Sequence, residues 1–531
     1  MTQIANLAAY SPDMNRPTLA STAFALLGSL ATAALAAAPA APPDLARKVR
    51  AWRQAHEPAI LREFVDLLAL PNIASDTPAI EKNAAAIVEL LRRRGLAPEL
   101  LRVEGAPPVV LAELRSPRPH ARTVTFYAHY DGQPTDPAQW HGAPWRPVLR
   151  DRALEEGGKE IDWAAPGARL DPEARLYARS AGDDKAPIIG LLAALDALRA
   201  LKVAPSANLK LVFEGEEEAG SPHLAAYLER YADRLKTDGW ILCDGPVFQN
   251  RQPLVVFGAR GVTGAELTVY GPNHGLHSGH YGNWAPNPIV VLSHLIDSMR
   301  DADGRILIDG FYDSVKPLGE RERAAIAAAP PIDDLLRHEF GLAATEGHGA
   351  RLLDRLALPA LNLRGFVGGH VGASASNTIP TEARASIDFR LVPDLTPDEV
   401  RRKVEAHLER QGFTIVREAP EAATRLAHPR LVKVEWEAGY PAGRTSMDDR
   451  FARDVVDALE RLHGKDLVKI PMLGGSIPIY LFQGAARTPP TPVVIVPIAN
   501  HDDNQHAADE NLRLRNLWDG IDTYAALLTG L

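Results

Sequence analysis

A single cysteine in 531 residues, Cys243, rules out any intrachain disulfide, and its apolar setting marks it as a small buried hydrophobe rather than a nucleophile. Positive charge is also outnumbered by negative. Lys and Arg number 58 against 67 Asp and Glu, a formal net charge of −9, and no dense Lys/Arg run occurs, so nucleic acid is not an expected partner. Two local signatures are missing as well. Without a His-Glu-x-x-His stretch there is no case for the usual single-zinc protease, and without a Gly-x-Ser-x-Gly turn there is none for a serine hydrolase of that type. No internal repeat is found, and outside residues 19–38 no span is apolar enough to cross a bilayer.

Residues 19–38 are uncharged, rich in Ala and Leu, preceded by Arg16 and followed by a Pro-rich stretch at 39–43. With Ala34-Leu35-Ala36 as a cleavage site, residues 1–38 read as a secretory signal peptide, and Met14 offers an alternative start. An uncleaved anchor is the competing reading. The expectation is a secreted or periplasmic protein with no stable membrane span after cleavage. The remaining length calls for two domains. Helical spacing at 61–70 and 80–91 precedes a strand at 109–114, and strand, loop and helix then alternate up to Asp244, with Pro187 opening a helix at 187–201. That pattern predicts an α/β domain with a mostly parallel sheet flanked by helices. The segment 259–436 changes character, with strand 264–270, helix 288–299, strands 358–367 and 383–392, helix 396–410 and strand 432–436. The β-α-β-β-α-β order predicts an inserted α+β domain, elaborated at 301–354. The first domain then comprises 44–258 and 437–531, closing with helices at 449–462 and 512–528.

Five apolar runs each lead into a metal-type side chain. The run 123–128 leads into His129 and Asp131, 176–181 into Asp183 and Asp184, 209–213 into Glu216, Glu217 and Glu218, 240–243 into Asp244, and 493–498 into a tract containing His506. Ligands of open α/β sheets collect at the carboxyl ends of the strands, so the five runs predict one assembled site. A pair of divalent ions about 3.5–4 Å apart needs a bridging carboxylate with His and carboxylate ligands on either side, and that inventory is present. His129 followed by Asp131 suits an imidazole oriented by an acid. Four crowded carboxylates in Glu214-Gly215-Glu216-Glu217-Glu218 repel one another unless cations are near, and one of them can act as a base.

Five motifs make the comparison specific: His129-Tyr130-Asp131-Gly132-Gln133-Pro134, Asp183-Asp184-Lys185, Phe213 to Ser221, Leu276-His277-Ser278-Gly279 and Gly474-Gly475-Ser476-Ile477-Pro478. In this order they resemble the zinc metallopeptidase family of aminoacylases, glutamate carboxypeptidases and carnosinase-type dipeptidases, the dipeptidase branch most of all, from about Leu45 onward. The resemblance implies two Zn2+ per subunit, with Mn2+ or Co2+ as alternatives. His129 and Asp244 would hold one ion, Glu218 and His506 the other, and Asp183 would bridge them. Glu217 would be the general base, and Asp131 would orient His129. The inserted domain would be a lid that also makes a homodimer contact. From it His277 would stabilise the oxyanion, while Arg390 and Asn377 would bind substrate. Gly474, Gly475 and Ser476 would receive the carboxylate of a small peptide.

Several departures bear on that picture. Ala178-Arg179-Ser180-Ala181-Gly182 replaces the usual Gly-Arg-Gly, and Ala186 follows Lys185. The stretch 155–173 lengthens a loop near the pocket, and Met472-Leu473 replaces a charged pair, which alters preference at the substrate carboxylate. His501, beside Asp502 and Asp503, rivals His506 as a ligand. The expected activity is hydrolysis of an amide next to a free carboxylate. An N-acyl amino acid deacylase on the same scaffold is the alternative, and a non-catalytic binding protein the third.

Overall fold

Apolar residues on both sides of a strand suit a sheet covered on both faces. The computed structural model, which describes residues 43–165, 169–484 and 490–531, contains such a sheet, and the signal-peptide expectation for residues 1–38 lies outside the described residues. Its eight strands are β1 (Glu99–Leu101), β2 (Val109–Leu114), β3 (Thr123–His129), β6 (Asn208–Glu214), β7 (Gly239–Leu242), β8 (Leu254–Val256), β17 (Val468–Ile470) and β19 (Val493–Ile495), in the order β1-β2-β6-β3-β7-β19-β8-β17. The central run β6, β3, β7, β19 is parallel, as expected, while β2 joins β6 and β8 joins β19 antiparallel. Along β3, Val124, Phe126 and Ala128 face one core and Tyr127 the other, the alternation a pleated strand imposes. Helices Pro43–Leu68, Lys185–Ala200, Arg450–His463 and Leu514–Gly530 supply side chains to the first core. The Arg450–His463 helix starts where Asp449 accepts the Ala452 N–H at 3.1 Å.

One expected strand lies elsewhere. The run 176–181 is not part of the large sheet: β5 covers only Arg175–Tyr177 and pairs antiparallel with β4 (Val148–Arg150) and β20 (Asn511–Arg513) in a separate three-stranded sheet. The stretch 155–173, expected to lengthen a loop near the pocket, also packs inward. Ile161, Trp163 and Leu170 pack against the first core and Trp163 lies under Arg62 at 4.6 Å, so these residues help to cover the core.

The second sheet follows the expected β-α-β-β-α-β order and has its own apolar core on one face. Its strands are β9 (Gly258–Tyr270), β11 (Ala360–Val367), β13 (Glu382–Leu391), β14 (Thr414–Val416) and β15 (Leu431–Trp436), in the order β11-β13-β9-β15-β14, with β16 (Gly443–Arg444) and β18 (Leu473–Ser476) also pairing β9. A two-stranded arm, β10 (Leu276–His277) with β12 (Thr378–Ile379), stands beside it in the chain. The elaboration 301–354 is shared between the sheets. Ile306, Ile308 and Phe311 join the core of the second, whereas Ile326, Ala329, Ile332 and Leu353 join the far face of the first.

Candidate metal centre

Each side chain of the centre is delivered by a strand end or by a turn fixed from a distance. His129 is the last residue of β3, and its backbone N–H donates to Asp184 Oδ2 at 3.2 Å. Asp131, fully buried, accepts the backbone N–H groups of Glu217 (3.1 Å) and Glu218 (3.0 Å) and lies 3.3 Å from His129 Nδ1. One carboxylate therefore fixes both the imidazole and the short 3-10 turn after β6 that carries the two acids. Asp244 stands two residues beyond β7.

Asp183 depends on a residue far along the chain. The Glu510 carboxylate accepts the N–H groups of Ser180, Gly182 and Asp183 at 2.9–3.0 Å and pairs with Arg179 at 2.7 Å. The sequence departure at 178–182 is accommodated by that clamp. His506 lies on the loop after β19 with φ at 64°, a backbone region that costs a non-glycine residue energy and is commonest at functional sites. His501 is not brought into either ligand group; it sits 4.0 Å from Asp502.

Two groups result, each with its ligand atoms within 4.8 Å of one another: His129, Glu217 and Asp244 in one, Asp183, Glu218 and His506 in the other. Asp183 faces both. Its Oδ1 is 2.8 Å from His129 Nε2 and its Oδ2 is 3.1 Å from His506 Nε2, while His506 Nε2 is 3.2 Å from Glu218 Oε2. Glu217 Oε2 is 4.0 Å from His129 Nε2.

The electrostatics are those of an acid cluster with too few cations. Burial, and then the charges of Asp244, Asp183 and Glu218, push the Glu217 carboxyl well above the usual range. Burial and Asp183 lift Asp244 to about 7. The carboxylates of Asp183 and Glu218 raise His506 to about 10, and despite its burial Asp183 is held low by His129 and His506. The Asp244 carboxylate is buried yet makes no hydrogen bond or ion pair among the described residues, an expense that a bound cation would offset. Imidazole nitrogens with carboxylate oxygens are also the donor set of catalytic zinc sites, so these residues fit two divalent ions.

The other expected residues fall into two clusters. Arg390 on β13 donates through Nε to Asp388 (2.9 Å) and through Nη1 to Ser476 Oγ (2.8 Å), which brings Arg390 to the Gly474-Gly475-Ser476 segment on β18. His277 and Asn377 meet on the β10–β12 arm, where the Ser278 N–H donates to Asn377 O at 2.8 Å, and both are exposed. His277 Nδ1 accepts the Gly279 N–H at 3.0 Å, and its ring lies 4.6 Å from that of His280.

Four residues were not assigned roles from the sequence. Gln133 donates to Glu218 Oε2 (2.8 Å), Gln505 donates to Asp183 Oδ2 (2.6 Å), Asp184 accepts from His129, and Glu510 clamps the Asp183 turn. Their signal was proximity in sequence to a ligand, which for Glu510 means four residues beyond His506.

Comparison with known proteins agrees with this geometry. The model of peptidase family M20/M25/M40 matches residues 125–530. The chain is 27% identical to the human Beta-Ala-His dipeptidase over 97% of this chain and 98% of that one, and 28% identical to the Cys-Gly metallodipeptidase dug1 of Schizosaccharomyces pombe over 78% and 81%. Among solved structures, the M20 family metallo-carboxypeptidase Sso-CP2 of Sulfolobus solfataricus superposes with a TM-score of 0.69 at 26% identity, covering 88% of this chain and 98% of that one.

Proposed function

This chain belongs to peptidase family M20/M25/M40 and is a metallopeptidase, and from that premise we propose a two-metal dipeptidase that cleaves the amide bond next to a free carboxylate. The observation that carries the reading is Asp183, whose two oxygens point at the two histidines of two ligand groups. His129 and Asp244 would hold one ion, Glu218 and His506 the other, with Asp183 shared. Zinc is the proposed metal, since this donor set is the one its catalytic sites use. When bound, such a pair polarises the scissile carbonyl and makes a water acidic enough to attack near neutral pH.

The chain's own groups do the rest. The Glu217 carboxylate makes no hydrogen bond among the described residues, and burial among acids raises its affinity for a proton. It would take the proton of the attacking water and return it to the leaving nitrogen. Asp131 keeps Glu217, Glu218 and His129 in register. Arg390 offers a two-pronged donor to a carboxylate, shared with Ser476 and with the backbone of Gly474 and Gly475. His277 and Asn377 are proposed to contact substrate from the arm, His277 at the oxyanion.

The second sheet, about residues 259–436, is proposed as the lid and as the contact of a homodimer. Its edge strand β11 exposes Leu363, Phe366 and Val367, and an apolar open edge favours pairing with another copy. Secretion or a periplasmic location is proposed from residues 1–38, and among the described residues no helix is long and apolar enough to cross a membrane. The deciding experiment compares unmodified dipeptides with N-acyl amino acids as substrates of the metal-loaded protein. Faster turnover of dipeptides supports the reading, and turnover of N-acyl amino acids alone replaces it with the deacylase.

A further inference from the structure

Tyr440 lies where no motif points, just after the second sheet. Its backbone bridges Val262 of β9, with Val262 N–H to Tyr440 O at 3.0 Å and Tyr440 N–H to Val262 O at 2.9 Å. On its other side Val262 is paired with Arg390 of β13. Directly opposed residues of antiparallel strands point to the same face, so Tyr440, Val262 and Arg390 form one row on one side of the sheet. Gly261 permits this approach, because a Cβ there would stand 2.4 Å from both Tyr440 O and Ala442 N. The Tyr440 ring is stacked on Tyr480, with centroids 6.0 Å apart and planes at 17°, four residues beyond Ser476.

The phenol is therefore held in place, yet its oxygen makes no hydrogen bond among the described residues. Burial pushes it up to about 12, with Glu217 adding to the shift and Arg390 opposing it. The hydroxyl thus stays protonated at any working pH and lies within the electrostatic reach of both the proposed base and the carboxylate-binding arginine.

Resting on the dipeptidase reading, we infer that Tyr440 is a substrate-binding residue that donates its phenol hydrogen bond to the C-terminal carboxylate of the dipeptide, beside Arg390 and Ser476. A neutral O–H donor next to a guanidinium complements an anion, and in the proposed reaction the anion that Arg390 binds is that carboxylate.

The test is a double-mutant cycle on the metal-loaded enzyme with Tyr440→Phe, Arg390→Gln and the pair, reading kcat and KM for a dipeptide together with metal content and Tm. Tyr440→Phe should raise KM about tenfold to a hundredfold, leave kcat within about threefold, and leave Tm and metal content unchanged. In the Arg390→Gln background the same change should cost much less, because the two groups share one ligand. An unchanged KM, a loss confined to kcat, or equal losses in both backgrounds would overturn the inference while leaving a dipeptidase. A wild-type protein that hydrolyses no dipeptide would instead remove the functional reading and this inference with it.

Discussion

The two ligand groups are built to different standards. His129, Glu217 and Asp244 hang on the ends of adjacent strands, and the His129 side chain is 0% exposed, whereas His506 sits on a loop with its side chain 55% exposed. The first group is anchored at the ends of three adjacent strands. The second is completed by a loop, and loops open at lower free-energy cost than core strands. Asp183 faces both, and it is carried not by the sheet but by a turn whose N–H groups the Glu510 carboxylate, far along the chain, accepts. The difference teaches that one candidate metal position is part of the fold and the other is added to it.

The largest effect tests what the groups share in use. Glu217→Gln should keep both metals and lower kcat by roughly a hundredfold to ten-thousandfold, the range for general acid–base groups. Loss of metal in step with activity would make Glu217 a ligand of the buried group instead. Next, His129→Ala and His506→Ala should each weaken binding of one ion by more than about a hundredfold, which calorimetric zinc titration reads as one weakened step out of two. If the buried group is the tighter, His506→Ala keeps its strong step and His129→Ala loses it. Equal profiles for the two variants would erase the distinction.

A smaller effect is expected one step away from the metals. Glu510→Gln leaves a clamp with half its accepting power, and metal affinity should fall about tenfold to a hundredfold, as for other groups that orient ligands. Unchanged affinity would mean that the Asp183 turn holds itself. A further effect is on pH dependence. The Asp183 and Glu218 carboxylates raise His506 to about 10, so in the metal-free protein it carries a proton at pH 7 that zinc must displace. Zinc affinity of the open group should therefore climb as pH rises from 7 towards about 10, with proton release measurable in a weakly buffered titration. A flat response across that interval would contradict the assignment.

Much of this was legible in the chain. Four of the five ligand-bearing runs contribute strands to the large sheet, since apolar residues on both faces followed by His or acid mark a buried strand ending at an opening. The second sheet's strand and helix order was also readable, because the apolar period changes between 2 and 3.6 along it. Asp183 was placed by the wrong neighbours. The run 176–181 looks like a central strand, but Arg179 and Ser180 bond to Glu510 instead of to a sheet partner, a contact no local pattern carries. The packing of 155–173 and 301–354 was not readable for a related reason: sparse apolar residues such as Trp163, Ile326 and Leu353 declare burial without naming the surface they cover. Tyr440 was invisible because its meaning depends on register across three strands.

The most direct test of the shared-carboxylate account is a metal count on purified Asp183→Asn beside the wild type. The account predicts two divalent ions per wild-type chain and, in the variant, weakened binding at both positions with turnover lost. A variant that retains both ions at wild-type affinity, or a wild type that binds only one, would contradict it.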